Sequence, residues 1–156
     1  MKFEHLVEIN DATSGMPLLT RDMLWFGLVC RAEDSMPFLP GLEACEILER
    51  GEGFLLRTLK FGGHVEVRDR VVLHPQQWIR FETEQTPQHA GGTLTISIEE
   101  PESGALFLRF LYQTTLDEDV VDDDAQYADF VRAAYHQSDL DTVRVIREII
   151  ASRDFQ

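Results

Sequence analysis

From Glu43 to Thr115 the chain passes through six segments in which apolar and polar residues alternate, and then enters one long stretch of helical spacing. No other feature limits the fold as strongly. A period of two marks strands with one buried face, and glycine or proline ends each run where a turn needs it. The breaks are Gly51, Gly53, Gly62-Gly63, Pro75, Pro87, Gly91-Gly92, Pro101 and Gly104, which predict strands over 43–50, 53–61, 64–74, 78–85, 92–100 and 104–115. An earlier strand, Lys2 to Asn10, places Phe3, His5, Val7 and Ile9 on one side. Thr20 reads as the N-cap of a helix running to about Asp34, with Asp22 in its first turn. Ser35 to Gly41 holds two prolines and reads as a second short helical turn or tight corner.

The last stretch, about Asp122 to Arg153, carries Tyr127, Phe130, Val131, Ala134, Tyr135, Leu140, Val143, Ile146 and Ile150 at helical spacing. Ser138-Asp139-Leu140-Asp141 has the form of a capping box, which predicts a kink or break there. The element order is therefore strand, two short helices, six strands, long helix, an α+β arrangement. One helix cannot cover that many flat strands, so the sheet must curl around it, and a curled sheet closed by a helix leaves a cavity.

Loop lengths align the faces of the strands. A three-residue loop Gly62-Gly63-His64 pairs Phe61 with Val65, Leu59 with Val67, Arg57 with Asp69 and Leu55 with Val71. A two-residue loop would put the apolar sets on opposite faces. The same reasoning around Gly51 pairs Ile47 with Leu55 and Cys45 with Arg57. The remaining strands add Ile79, Phe81 and Thr83, then Leu94, Ile96 and Ile98, then Leu106, Leu108, Phe110 and Tyr112 to the inner face. Its polar members are His5, Glu49, Arg57, Asp69, Thr83 and Tyr112. A lone buried aspartate is costly, whereas a bidentate Arg–Asp pair stays ionised. Arg57 with Asp69 is either a structural pair that fixes register or a polar anchor in an apolar pocket. The candidate ligand-binding set is Arg57, Asp69, His5, Tyr112, Phe81, Thr83, Leu94, Ile96 and Phe110 from the sheet, with Tyr135 from the helix.

Composition narrows the classes. A length of 156 residues fits one domain, 1–156. No apolar run reaches the ~18 residues of a membrane span, and the N-terminus has no apolar signal region. A cytoplasmic location is expected. A net charge of −14 without a basic cluster argues against nucleic acid and anionic membranes as partners. Cys30 and Cys45 fit no zinc or redox spacing and read as free thiols. Histidines 5, 64, 74, 89 and 136 have no metal-ligand spacing. The acidic cluster Asp117, Glu118, Asp119 and Asp122–Asp124 lacks the pattern of a calcium loop and fits the start of a helix better. No cofactor and no metal are expected. Phe107 and Leu111 lie on the outer face around Arg109, where a second copy in a homodimer could cover them.

The segments Leu24-Trp25-Phe26-Gly27-Leu28-Val29-Cys30-Arg31-Ala32-Glu33, Phe38-Leu39-Pro40-Gly41, Asp69-Arg70-Val71, Gly92-Thr93-Leu94-Thr95, Ile98-Glu99-Glu100-Pro101, Leu106 to Phe110 and Asp141 to Arg147 resemble the AtaL-like family. That family belongs to the SRPBCC superfamily, with START lipid-transfer domains and the Bet v 1-like birch-pollen allergens. The resemblance implies a helix-grip fold: a seven-stranded antiparallel sheet, order 1-7-6-5-4-3-2, around a C-terminal helix, with two short helices between strands 1 and 2. It also implies a hydrophobic cavity. Three functions compete. The first is binding of a small hydrophobic or amphipathic molecule. The second is an enzyme of the polyketide cyclase/aromatase or lyase kind, with Asp69, Arg57, His5 and Tyr112 as acid–base candidates. The third is a protein-interaction module like the co-chaperone relatives.

Overall fold

The computed structural model describes residues 1–87, 90–114 and 125–153. Seven strands form one antiparallel sheet: β1 (Lys2–Glu8), β2 (Leu42–Gly51), β3 (Phe54–Phe61), β4 (Val65–His74), β5 (Trp78–Thr83), β6 (Gly92–Glu99) and β7 (Phe107–Thr114). Helix α1 (Arg21–Glu33) follows β1, and helix α2 (Ala125–Ala151) follows β7. The strand order is β1-β7-β6-β5-β4-β3-β2. This is the expected helix-grip fold. Among the described residues no helix is long and apolar enough to cross a membrane.

The buried face of each strand follows the alternation. Phe3 and Val7 of β1, Val67 and Val71 of β4, Ile79 and Phe81 of β5, Ile96 and Ile98 of β6, and Leu108 and Phe110 of β7 all point inward. The β3–β4 register is the expected one, with Leu59 opposite Val67 and Arg57 opposite Asp69. It is set by Gly63 and His64, both left-handed at φ 75° and 64°.

Three expectations need correction. Between β1 and β2 there is one helix; residues 36–41 form a turn in which the Phe38 and Leu39 amides donate to the Ser35 carbonyl. Pro37 and Pro40 leave too few amide donors for a second helix. On the β2 edge, Ile47 lies opposite Arg57 and Cys45 opposite Leu59, not Leu55 and Arg57. The turn here has two residues, so Gly51 faces Phe54, and a bulge between Ile47 and Glu49 brings the inner faces back into phase. Glu49, expected inside, is therefore exposed. Finally, α2 continues through Ser138 without the predicted break. Its inward stripe is Ala128, Asp139, Thr142, Val145, Ile146 and Ile150, while Tyr127, Phe130 and Leu140 are exposed.

Helix α1 begins as expected: the Met23 amide donates to the Thr20 hydroxyl at 3.1 Å. It packs on α2 where Gly27 meets Ile146. A β-carbon at position 27 would lie 2.4 Å from the Ile146 Cγ2, so only glycine allows this approach. Arg31, near the C-terminal end of α1, is buried and lines the space under the sheet.

Candidate functional site

A cavity of about 320 Å³ lies between the inner face of the sheet and α2. Leu59, Phe61, Val67, Phe81 and Leu94 supply apolar wall from the strands, and Leu39 and Pro40 supply it from the turn after α1. Tyr135 of α2 stacks on Tyr112 of β7, centroids 4.0 Å apart and planes 13° from parallel. Gly91 and Gly92 form part of the rim. Gly92 has φ 145°, and a β-carbon there would strike the Gln113 carbonyl, so the strand start can approach β7 only as glycine.

Arg57 and Asp69 are both buried, at 1% and 5% exposure, and bridge β3 to β4. The Arg57 Nε donates to Asp69 Oδ1 at 2.8 Å and Nη2 to Oδ2 at 2.6 Å. The remaining nitrogen, Nη1, donates to the Ala32 carbonyl at 2.9 Å and to Ser35 Oγ at 2.8 Å, with a longer contact to the Arg31 carbonyl at 3.3 Å. Those carbonyls belong to the last turn of α1, where no helical amide satisfies them. Arg57 thus caps a helix while neutralising Asp69, and every guanidinium nitrogen is used within the protein.

Arg31 differs. It is 5% exposed and lines the same cavity, with its guanidinium 4.7 Å above the Phe81 ring. Its Nε and Nη1 are buried without a hydrogen-bond partner. Burial pulls its pKa below the usual arginine value and the nearby Arg57 charge adds to this, against the pull of Tyr112, Asp139 and Asp69. A buried cation without a bonded anion costs several kcal/mol. Oγ1 of Thr114, a residue that also lines the cavity, is the other unpartnered buried group among the described residues.

A second polar cluster lies behind the tyrosines. The Tyr112 hydroxyl donates to Asp139 Oδ1, and the His5 Nδ1–H donates to Asp139 Oδ2 at 2.9 Å. Asp139 is 1% exposed, and burial raises its carboxyl pKa despite both hydrogen bonds. Burial also raises the Tyr112 pKa, and the Asp139 charge raises it further. The His136 ring sits 4.0 Å from His5. These residues line a separate cavity of about 280 Å³, and Tyr112 and Tyr135 stand between it and the first.

Of the residues singled out in the sequence, Arg57, Asp69, Phe81, Thr83, Leu94, Tyr112 and Tyr135 line the first cavity. His5 lines the second. Ile96 and Phe110 are fully buried in the packed core instead. The acidic run 117–124 and His89 lie outside the described residues. Sequence reasoning missed Arg31 and Asp139. Both carried a signal: Leu24, Leu28 and Arg31 share one helix face at i, i+4, i+7, as do Tyr135, Asp139, Thr142 and Ile146.

The fold has solved relatives of low identity. The crystal structure of Zhui aromatase/cyclase from Streptomyces sp. R1128 has TM-score 0.64 at 20% identity, covering 95% of this chain and 93% of that one. The di-domain ARO/CYC StfQ from the steffimycin biosynthetic pathway has TM-score 0.70 at 16% identity, covering 97% of this chain but 52% of the di-domain chain. Ara h 8.0201 has TM-score 0.59 at 13% identity, covering 98% of this chain and 99% of that one. No curated protein sequence matches this one. The AtaL model, described as acetylaranotin biosynthesis cluster protein L, matches residues 4–153. With nearly its whole length matched, this chain belongs to the AtaL family.

Proposed function

We propose that the protein binds a small, mainly apolar molecule in the cavity between the sheet and α2. The observation that carries this reading is the cavity itself: about 320 Å³ walled by Leu59, Phe61, Val67, Phe81 and Leu94, with a few buried polar groups. Small-molecule sites have this make-up, and this volume is at the low end of their usual range of ~300–1,000 Å³. The neutral fluorophore N-phenyl-1-naphthylamine tests it. Saturable one-to-one binding is expected, weakened at least ~10-fold by Leu94→Trp, which fills the wall. Absence of saturable binding, or binding indifferent to Leu94→Trp, contradicts the reading.

A second reading is an enzyme of the aromatase/cyclase kind, as two of the fold relatives are described. One observation favours it. Tyr112, Asp139 and His5 form a hydrogen-bonded chain from the cavity wall to a half-buried histidine, a route for a proton in an acid–base step. Under this reading Tyr112→Phe keeps fluorophore binding and abolishes cyclisation of a poly-β-ketone thioester. Wild-type protein that binds such a chain without cyclising it leaves the carrier reading alone.

A further inference from the structure

Three buried side-chain atoms lack a hydrogen-bond partner among the described residues: Nε and Nη1 of Arg31 and Oγ1 of Thr114. Both residues line one cavity. Proteins rarely leave such atoms unpaired, and a cation is the costliest to leave so. The neighbouring arginine supplies an internal control. Arg57, equally buried, has Asp69 against two nitrogens and helix carbonyls and Ser35 on the third. No carboxylate among the described residues forms an ion pair with Arg31.

Asp139 and Asp69 are close enough to act on Arg31 electrostatically, yet their oxygens are engaged elsewhere, by Tyr112 and His5 and by Arg57. Nε and Nη1 point to different edges of the planar guanidinium, so each is a separate charge-assisted donor rather than one half of a side-on pair. The surface beside them is flat and apolar: the Phe81 ring underneath and the stacked Tyr112–Tyr135 pair on the wall.

We infer that Arg31 is the anchor for an anionic ligand oxygen, so that the molecule this cavity takes is an amphipathic acid, with a carboxylate on Arg31 and a flat apolar body against Phe81 and the tyrosines. The inference rests on the cavity being a binding site and adds the chemical class of its occupant.

The test uses 2-naphthoate and its neutral isostere 2-naphthamide, titrated calorimetrically into wild type and Arg31→Met. Wild type is expected to prefer the acid by roughly 10–100-fold, the worth of a charge-assisted hydrogen bond, and Arg31→Met to bind the two alike. Ligand-free Arg31→Met is expected to melt at or above the wild-type temperature, because the substitution removes an uncompensated buried charge. In wild type, naphthoate with a labelled carboxyl carbon stays ionised when bound at pH values where it protonates in solution, a readout that needs no variant. Equal affinity for acid and amide, or a preference that survives Arg31→Met, overturns the anchor while the cavity reading stands. An Arg31→Met protein that melts well below wild type or fails to fold overturns it too, since Arg31 is then a structural cation. Failure of both probes to bind wild type that still binds N-phenyl-1-naphthylamine overturns the anchor alone, and failure of all three removes the cavity reading with it.

Discussion

Two arginines lie side by side under the same sheet, both almost without solvent exposure, and they differ in what surrounds them. Arg57 is saturated by Asp69, two backbone carbonyls and Ser35. Arg31 keeps two nitrogens unpaired and faces the cavity. A buried cation of the first kind holds a fold together; one of the second kind weakens it unless something arrives to pair with it. Burial alone therefore says little about the role of a charged residue. The count of unmet hydrogen bonds separates clamp from anchor.

The contrast breaks most visibly at Arg57. Arg57→Ala strands the Asp69 carboxylate and frees the C-terminal carbonyls of α1, and is expected to cost about 3–5 kcal/mol in urea denaturation. The pair Arg57→Met with Asp69→Leu, which removes both charges, is expected to regain most of that loss. A double variant as unstable as the single would mean that the helix cap, not the ion pair, is what Arg57 contributes.

Asp139 sharpens the comparison from the anionic side. It is buried like Asp69, but its donors are Tyr112 and His5 instead of a guanidinium. Asp139→Leu leaves the Tyr112 hydroxyl unpaired, an expected loss of about 1–3 kcal/mol. Asp139→Asn keeps an acceptor for Tyr112 and reports on charge. Because burial raises the folded-state pKa above 3.8, wild type and Asp139→Asn should differ least at acid pH. As pH rises through the folded pKa, wild type must ionise a buried carboxyl and should lose stability relative to the amide variant. Parallel stability curves from acid to neutral pH would contradict this.

Gly27→Ala disturbs the element that carries Arg31. The added methyl meets Ile146 too closely, and overpacking of this kind costs about 1–3 kcal/mol. Better helix propensity offsets up to about 1 kcal/mol, so a modest net loss is expected, relieved by adding Ile146→Val. The smallest effect belongs to Arg109, which pairs with Glu4 and Glu99 on the outer face at roughly a third exposure. It bonds two carboxylates where Arg57 bonds one, but without the burial. Arg109→Ala should cost no more than about 1 kcal/mol, less at high salt.

Legibility in the sequence followed the range of the interactions. The β3–β4 hairpin could be registered because its turn and both strands are contiguous, and a slip would expose Val67 and Val71. The β2 edge could not, because a bulge there depends on packing that alternation does not encode. Pairing Arg57 with Asp69 was readable across one turn; its reach to Ala32 and Ser35 was not, since α1 is distant in sequence. Arg31 and Asp139 were passed over because charged residues in helices usually face water. Ser138-Asp139-Leu140-Asp141 resembles a cap locally, yet Asp139 is drawn inward by Tyr112 and His5, more than a hundred residues away in the case of His5.

The most direct test of the account is a crystal structure of the protein grown with 2-naphthoate. The ring is predicted between Phe81 and the Tyr112–Tyr135 pair, with the carboxylate bonded to the Arg31 guanidinium. A cavity holding only ordered water around Arg31, with naphthoate elsewhere or nowhere, would contradict it.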